Sequence, residues 1–180
     1  MSVIKLPSAR WVRIAVRDLI RTNSAHINAR MADVDLGNST APTLQRISHS
    51  YRRQNNIDRN SFPAFHIEQR QSENEWKAMP NIGKSRYKFN IWGLLVWDEP
   101  EQAEDLVAEY AAGVADVLNQ RHIPIPISNG YFMYFDDVMP LTGIEFGAIE
   151  FSNAIVHGFT AVYTCDVDYS APDTSAQSRI

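Results

Sequence analysis

The chain has 180 residues, 44% hydrophobic and 21% charged. These proportions exclude a disordered or fibrous chain and fit one soluble domain that buries about 70% of its unfolded surface. Its single cysteine, Cys165, excludes an internal disulfide and fits a reducing compartment; no apolar run nears the length of a membrane span, and the start MSVIKLPSARW lacks a secretory pattern.

The net charge of −4 conceals a split, because residues 1–97 carry 15 Lys and Arg against 7 Asp and Glu, whereas residues 98–180 carry 2 against 14. Such a split has three readings: a nucleic-acid patch in one half, complementary surfaces between copies, or pairing of the two halves inside one fold.

In chain order, Ser8 suits a helix N-cap. Trp11, Val12, Ala15, Val16, Leu19 and Ile20 then form an apolar stripe, with Arg10, Arg13, Arg17 and Arg21 on the other sides. This helix should end between Asn23 and Ala29. Residues 30–61 lose periodicity and read as an extended arm or loop, with a short helix expected within 43–51 through Leu44, Ile47 and Tyr51. Arg46, Arg52, Arg53 and Arg59 make the arm basic. Tyr51 is its lone aromatic, which disfavours a stacking platform for single-stranded nucleic acid.

Residues 62–68 read as a strand, 72–84 as a polar connection holding Trp76, and 86–97 as a long strand. In that strand Phe89, Ile91, Leu95 and Trp97 fall on one face and Trp92, Leu94 and Val96 on the other, which predicts cover on both sides. Asp98-Glu99-Pro100 stops the strand and opens a helix, with Glu101, Glu104 and Asp105 at its positive end. Ala103, Leu106, Val107, Tyr110, Val114, Val117 and Leu118 recur at spacings of three and four, so this helix should lie on the sheet.

Alternate prolines make 123–127 an extended connector, and Asn129-Gly130 marks a turn. Residues 131–135, 144–151 and 154–166 read as strands, the last with Ile155, His157, Phe159, Ala161, Tyr163 and Cys165 on its core-facing side; Asp136-Asp137 ends the first of the three. The fold class expected is α+β: a mainly antiparallel sheet of four to five strands packed by two helices, as a single domain over 1–168 with a flexible tail at 169–180.

No nucleophile elbow, phosphate-binding glycine loop, zinc spacing or HExxH helix occurs, and the five histidines are scattered. No catalytic residue, cofactor or metal is therefore expected. His157 is read as a hydrogen-bonded core histidine, and the aspartates Asp136, Asp137, Asp166, Asp168 and Asp173 as strand-end caps and surface charge. An enzyme would need a deep pocket lined by Asp136, Asp166 or His157.

The order helix, polar arm, two strands, acid-capped helix, proline-rich connector and closing strands resembles the tail terminator or tail completion proteins of long-tailed bacteriophages. The likeness is carried by the strand 65–68, by residues 87–98 followed by helix 101–118, and by strand 154–166. It implies a structural virion protein: a homo-hexameric ring on the head-proximal end of the tail tube, which ends tube polymerisation and joins the tail to the neck. The partners implied are further copies of itself, the tail tube protein and a neck or head-tail connector protein. DNA would pass through the lumen without sequence recognition, with no membrane involved and assembly in the host cytoplasm.

A ring needs two different patches that meet between copies. Arg46, Arg52, Arg53 and Arg59 would supply the basic one, and Glu101, Glu104, Asp105, Glu109, Asp136 and Asp137 the acidic one, with Trp76 as a further contact. The alternative is a nucleic-acid-binding accessory protein that sets the same arginines on phosphates.

Overall fold

Periodicity sets the helices, and the sheet follows from what they cover. The computed structural model describes residues 9–48, 58–75, 82–119, 125–128, 131–135, 141–151 and 153–170. Helix α1 (Ala9–Thr22) buries Val12, Val16 and Ile20, one residue per turn along a single stripe. Trp11 stays 42% exposed under the Arg10 guanidinium, 5.6 Å from its ring centre. The chain then bends at Asn23, whose side-chain amide donates to the Leu19 carbonyl at 2.9 Å, and continues as α2 (Ser24–Ala32), burying Ile27 and Met31. The expected end at Asn23 to Ala29 thus falls at a break between two helices.

Strand β1 (Arg46–Ser48) stands where a short helix was expected within 43–51. Ile47 is the only apolar residue in the strand, so no amphipathic period forms. Instead the Gln45 and Arg46 amides donate to the Pro63 carbonyl at 2.9 and 3.3 Å, and the Leu44 amide donates to Asn28 Oδ1 at 2.8 Å. Ser48 Oγ and His66 Nδ1 lie 2.6 Å apart across the parallel pairing of β1 with β2 (Ala64–Glu75).

Strand β3 (Ile82–Val96) pairs antiparallel with β2 from Ala64↔Leu94 out to Glu75↔Lys84, with a bulge between Gln69 and Gln71. The polar connection expected over 72–84 is therefore mostly strand. Its polar composition hid it, because ladder bonds hold a strand pair whether or not its side chains are apolar.

Helix α3 (Pro100–Leu118) begins at the proline and buries the whole expected stripe. Beyond it lie β4 (Ile125–Ser128), β5 (Tyr131–Phe135), β6 (Leu141–Phe151) and β7 (Ala154–Ser170). The connector expected at 123–127 becomes an edge strand from Ile125 on, a place where Pro126 is tolerated.

Strand β7 organises the sheet. It pairs with β3 along its full length, from Val156↔Val96 to Ser170↔Ile82, and on its other side with β6 and then β5. The order is β1-β2-β3-β7-β5-β4, with β6 also on β7. The fold is α+β, with helices against a mainly antiparallel sheet. Among the described residues there are three α-helices, a short 3-10 helix (Arg59–Ser61) and seven strands, the added strands including the short edge pieces β1 and β4.

The helices cover one face of that sheet. Phe65, Ile67, Phe89, Ile91, Leu95, Phe159, Ala161, Tyr163 and Cys165 are buried there against Leu106, Tyr110, Val114 and Val117. Tyr110 meets Phe159 edge-on at 5.4 Å, and Phe89 stacks with Tyr163 at 6.4 Å. On the other face Trp92, Leu94 and Val96 are only half-buried, and Thr160 is exposed. The expectation of cover on both sides is met only in part among the described residues: Val156, beside Val96 on that face, is buried, whereas Thr160 beside Trp92 is exposed.

Candidate interaction surface

Among the described strands, β6 has an open edge. It pairs with β7 alone, and among the described residues nothing pairs its outer edge. Nine of its 11 residues, Thr142 to Glu150, are exposed. Phe146 is 60% exposed, Ile149 58% and Ile144 40%. Soluble proteins usually shorten or charge such an edge, because a bare ladder templates another chain. Here the charges are Glu145 and Glu150, and they stand among apolar side chains.

Between β6 and α3 runs an open cleft of about 520 Å³, with Val107, Ala108, Phe146, Ala148 and His157 in its walls and Glu104 and Asp105 on its helix side. His157 is half-buried, and its Nε2 has no hydrogen-bond partner among the described residues. The expected hydrogen-bonded core histidine is instead part of a cleft wall. On the far side of α3, Asp33, Asp35, Asp105 and Glu109 line a second cleft of about 450 Å³ together with Arg30. The exposed side of α3 is thus an acidic ridge between two hollows.

Of the acidic residues anticipated from sequence, Glu101, Glu104 and Asp105 are exposed on α3 and take part in no ion pair among the described residues. Glu109 is engaged within the chain, accepting from Arg30 Nη1 at 3.0 Å. Arg30 also donates to Asp116 Oδ2, through Nε at 3.0 Å and Nη2 at 2.9 Å, and His26 Nε2 lies 3.0 Å from the same oxygen. The His26 hydrogen bond, followed by those from Arg30, holds the Asp116 carboxyl below the usual range. Arg59 forms a two-pronged pair with Asp98, which lowers the Asp98 carboxyl.

The charge halves therefore meet partly inside one chain, through Arg30 and Arg59. Arg46 lies half-buried in β1, far along the strand order from β6, with no ion pair among the described residues. Arg52, Arg53, Trp76, Asp136 and Asp137 lie outside the described residues. Charge counting alone did not reveal β6 as an edge. The available signal was its pattern, in which Ile144, Phe146 and Ile149 alternate with Glu, Gly and Ala in a way that suits neither a buried nor a solvated strand.

No family model matches the chain, and no curated protein matches it. Among the described residues no helix is long and apolar enough to cross a membrane, and no three His, Cys, Asp or Glu side chains are grouped as a metal site requires.

Proposed function

We propose that the protein is a structural component of a bacteriophage virion, a tail terminator whose copies form a hexameric ring on the end of the tail tube and join it to the neck. The layout resemblance is what supports this reading of the family. The observation that carries the ring is that Glu101, Glu104 and Asp105 form an exposed acidic row on α3 while Arg10 of α1 and Arg46 of β1 stand on other elements, and none of the five is in an ion pair among the described residues. Two unlike, complementary patches favour head-to-tail contacts, which close into rings.

A nucleic-acid accessory role would use the same cations on phosphates. Of the arginines expected on phosphates, Arg59 already holds Asp98 within the chain, which leaves one fewer for a phosphate backbone. The direct test adds the purified protein to polymerising tail tube protein from the same phage and measures tube lengths by electron microscopy. Short tubes, each with a ring at one end, are expected. Unchanged lengths, together with duplex binding that falls steeply with salt, would favour the accessory role instead.

A further inference from the structure

We propose that the start of α1 in one copy, through Trp11 and Arg10, docks in the cleft between α3 and β6 of the next copy. This deepens the ring reading above and rests on its premise that copies self-associate.

The cleft defines what it can take. Val107, Ala108, Phe146 and Ala148 give it apolar walls, and about 520 Å³ is room enough for one large aromatic side chain. Register sets Phe146 opposite Phe159 and Ala148 opposite His157, so these β6 side chains share the sheet face on which α3 lies. The helix covers that face incompletely, which leaves Phe146 60% exposed. Charge then narrows the occupant. Glu104 and Asp105 stand exposed on the helix side, and α3, β6 and β7, the three elements that build the cleft, contain no Lys or Arg. Two such clefts set against each other would oppose like charges, which disfavours a symmetric contact. The occupant must combine an apolar anchor with a cation beside it.

The start of α1 has that combination. Among the described residues the large apolar side chains that stand exposed are Trp11, Ile144, Phe146, Ile149 and Ile155, and all but Trp11 belong to β6 or β7. Trp11 sits off the buried stripe of Val12, Val16 and Ile20 and does not line the cleft of its own chain. Arg10 is exposed next to it, with its guanidinium 5.6 Å from the indole centre and no ion pair among the described residues. The surrounding sequence keeps this patch basic. Residues 1–17 hold Lys5, Arg10, Arg13 and Arg17 without an acid, and the first acid, Asp18, is taken up by Arg17 and Arg21.

Trp and Arg are the side chains that most often anchor an interface, the first by area and the second by directed hydrogen bonds. With Trp11 seated between Val107 and Phe146, Arg10 meets Glu104 and Asp105 at the rim. Anchor and cleft are different patches of one chain, so each copy can offer both at once. Such contacts run head to tail, and they close when the rotation between copies allows.

The test measures assembly of the full-length protein by light scattering over a concentration series. Trp11→Ala should raise the dissociation constant roughly 30-fold or more, the loss that truncating a buried anchor causes. Arg10→Glu and the pair Glu104→Lys with Asp105→Lys should each weaken assembly by about tenfold or more through like-charge contact. Combining all three charge changes in one chain restores opposite signs at every junction and should recover most of the wild-type affinity. All four sites are exposed, and circular dichroism checks folding. Ala108→Trp, which fills the cleft from its own wall, should also block assembly and serves if Trp11→Ala misfolds.

Folded Trp11→Ala that assembles like wild type, or a charge swap without recovery, overturns this junction while the ring stands on another. Loss of duplex binding in Trp11→Ala with assembly unchanged also overturns it and assigns the patch to nucleic acid. Wild type that stays monomeric at high concentration, at low salt and in the presence of tail tube protein overturns both the junction and the ring.

Discussion

The ring of Phe159 on β7 lies directly over Gly93 on β3, its cross-strand neighbour, in the space a side chain at position 93 would need. A Cβ there would fall inside the ring's contact distance, and Tyr110 closes the other side of Phe159 edge-on. Gly93→Ala should therefore destabilise by about 1–3 kcal/mol through overpacking, and Phe159→Ala by about 3–5 kcal/mol through the cavity it leaves. The pair should couple. In the Phe159→Ala background the alanine at 93 should cost almost nothing, as a denaturant double-mutant cycle would read. Additive losses would mean the ring and the glycine do not share that space.

Tyr110 and Tyr163 are fully buried, and burial pushes both phenols well above their ordinary value. A raised folded-state value means the stabilisation is intact below the ordinary phenol range and is lost as pH rises through and beyond it. These two of the seven tyrosines should ionise only as circular dichroism collapses, and Cys165, buried beside Tyr163, should stay unreactive to thiol reagents until then. Early phenolate absorbance from all seven would contradict the burial. The Tyr110 hydroxyl has no hydrogen-bond partner among the described residues, so Tyr110→Phe should leave stability unchanged or raise it by about 1 kcal/mol.

How much of this could be read beforehand differs by element. α3 was legible to within a residue because Pro100 fixes its start and seven apolar positions keep a helical period. β3 and β7 were legible through alternation around Phe89, Ile91, Phe159 and Tyr163. The outer part of the β2–β3 hairpin was not, since ladder bonds between strands such as Gln71–Glu75 and Lys84–Lys88 leave no hydrophobic signature. β1 was misread because Ile47 alone cannot declare a period, and its strand state comes from a tertiary partner, β2. At the candidate surface, sequence gave the sign of the α3 patch. It could not say that Glu109 and Arg59 are engaged within the chain, because those pairings join residues far apart in sequence.

The Arg30, His26 and Asp116 network ties α2 to α3 and gives a pH test. The Asp116 carboxyl is held down in the folded chain, so its contribution is complete above the ordinary carboxylate range of about 4. It is lost as pH falls through the folded value, because the unfolded chain takes up the proton first. Asp98, lowered by Arg59, behaves in the same direction. Asp116→Asn should therefore lower the melting temperature at neutral pH and flatten its acid dependence, with the two proteins converging at low pH. A mutant that tracks wild type at every pH would show that the network contributes nothing to folding.

The proposed ring depends on head-to-tail self-association through unlike surfaces. Light scattering coupled to size exclusion, at low and high salt and with short duplex DNA in one sample, tests it most directly. The expected result is a discrete species with the mass of six 20.4 kDa chains, loosened by salt and indifferent to DNA. A 20.4 kDa monomer that changes size only when duplex is added would contradict it.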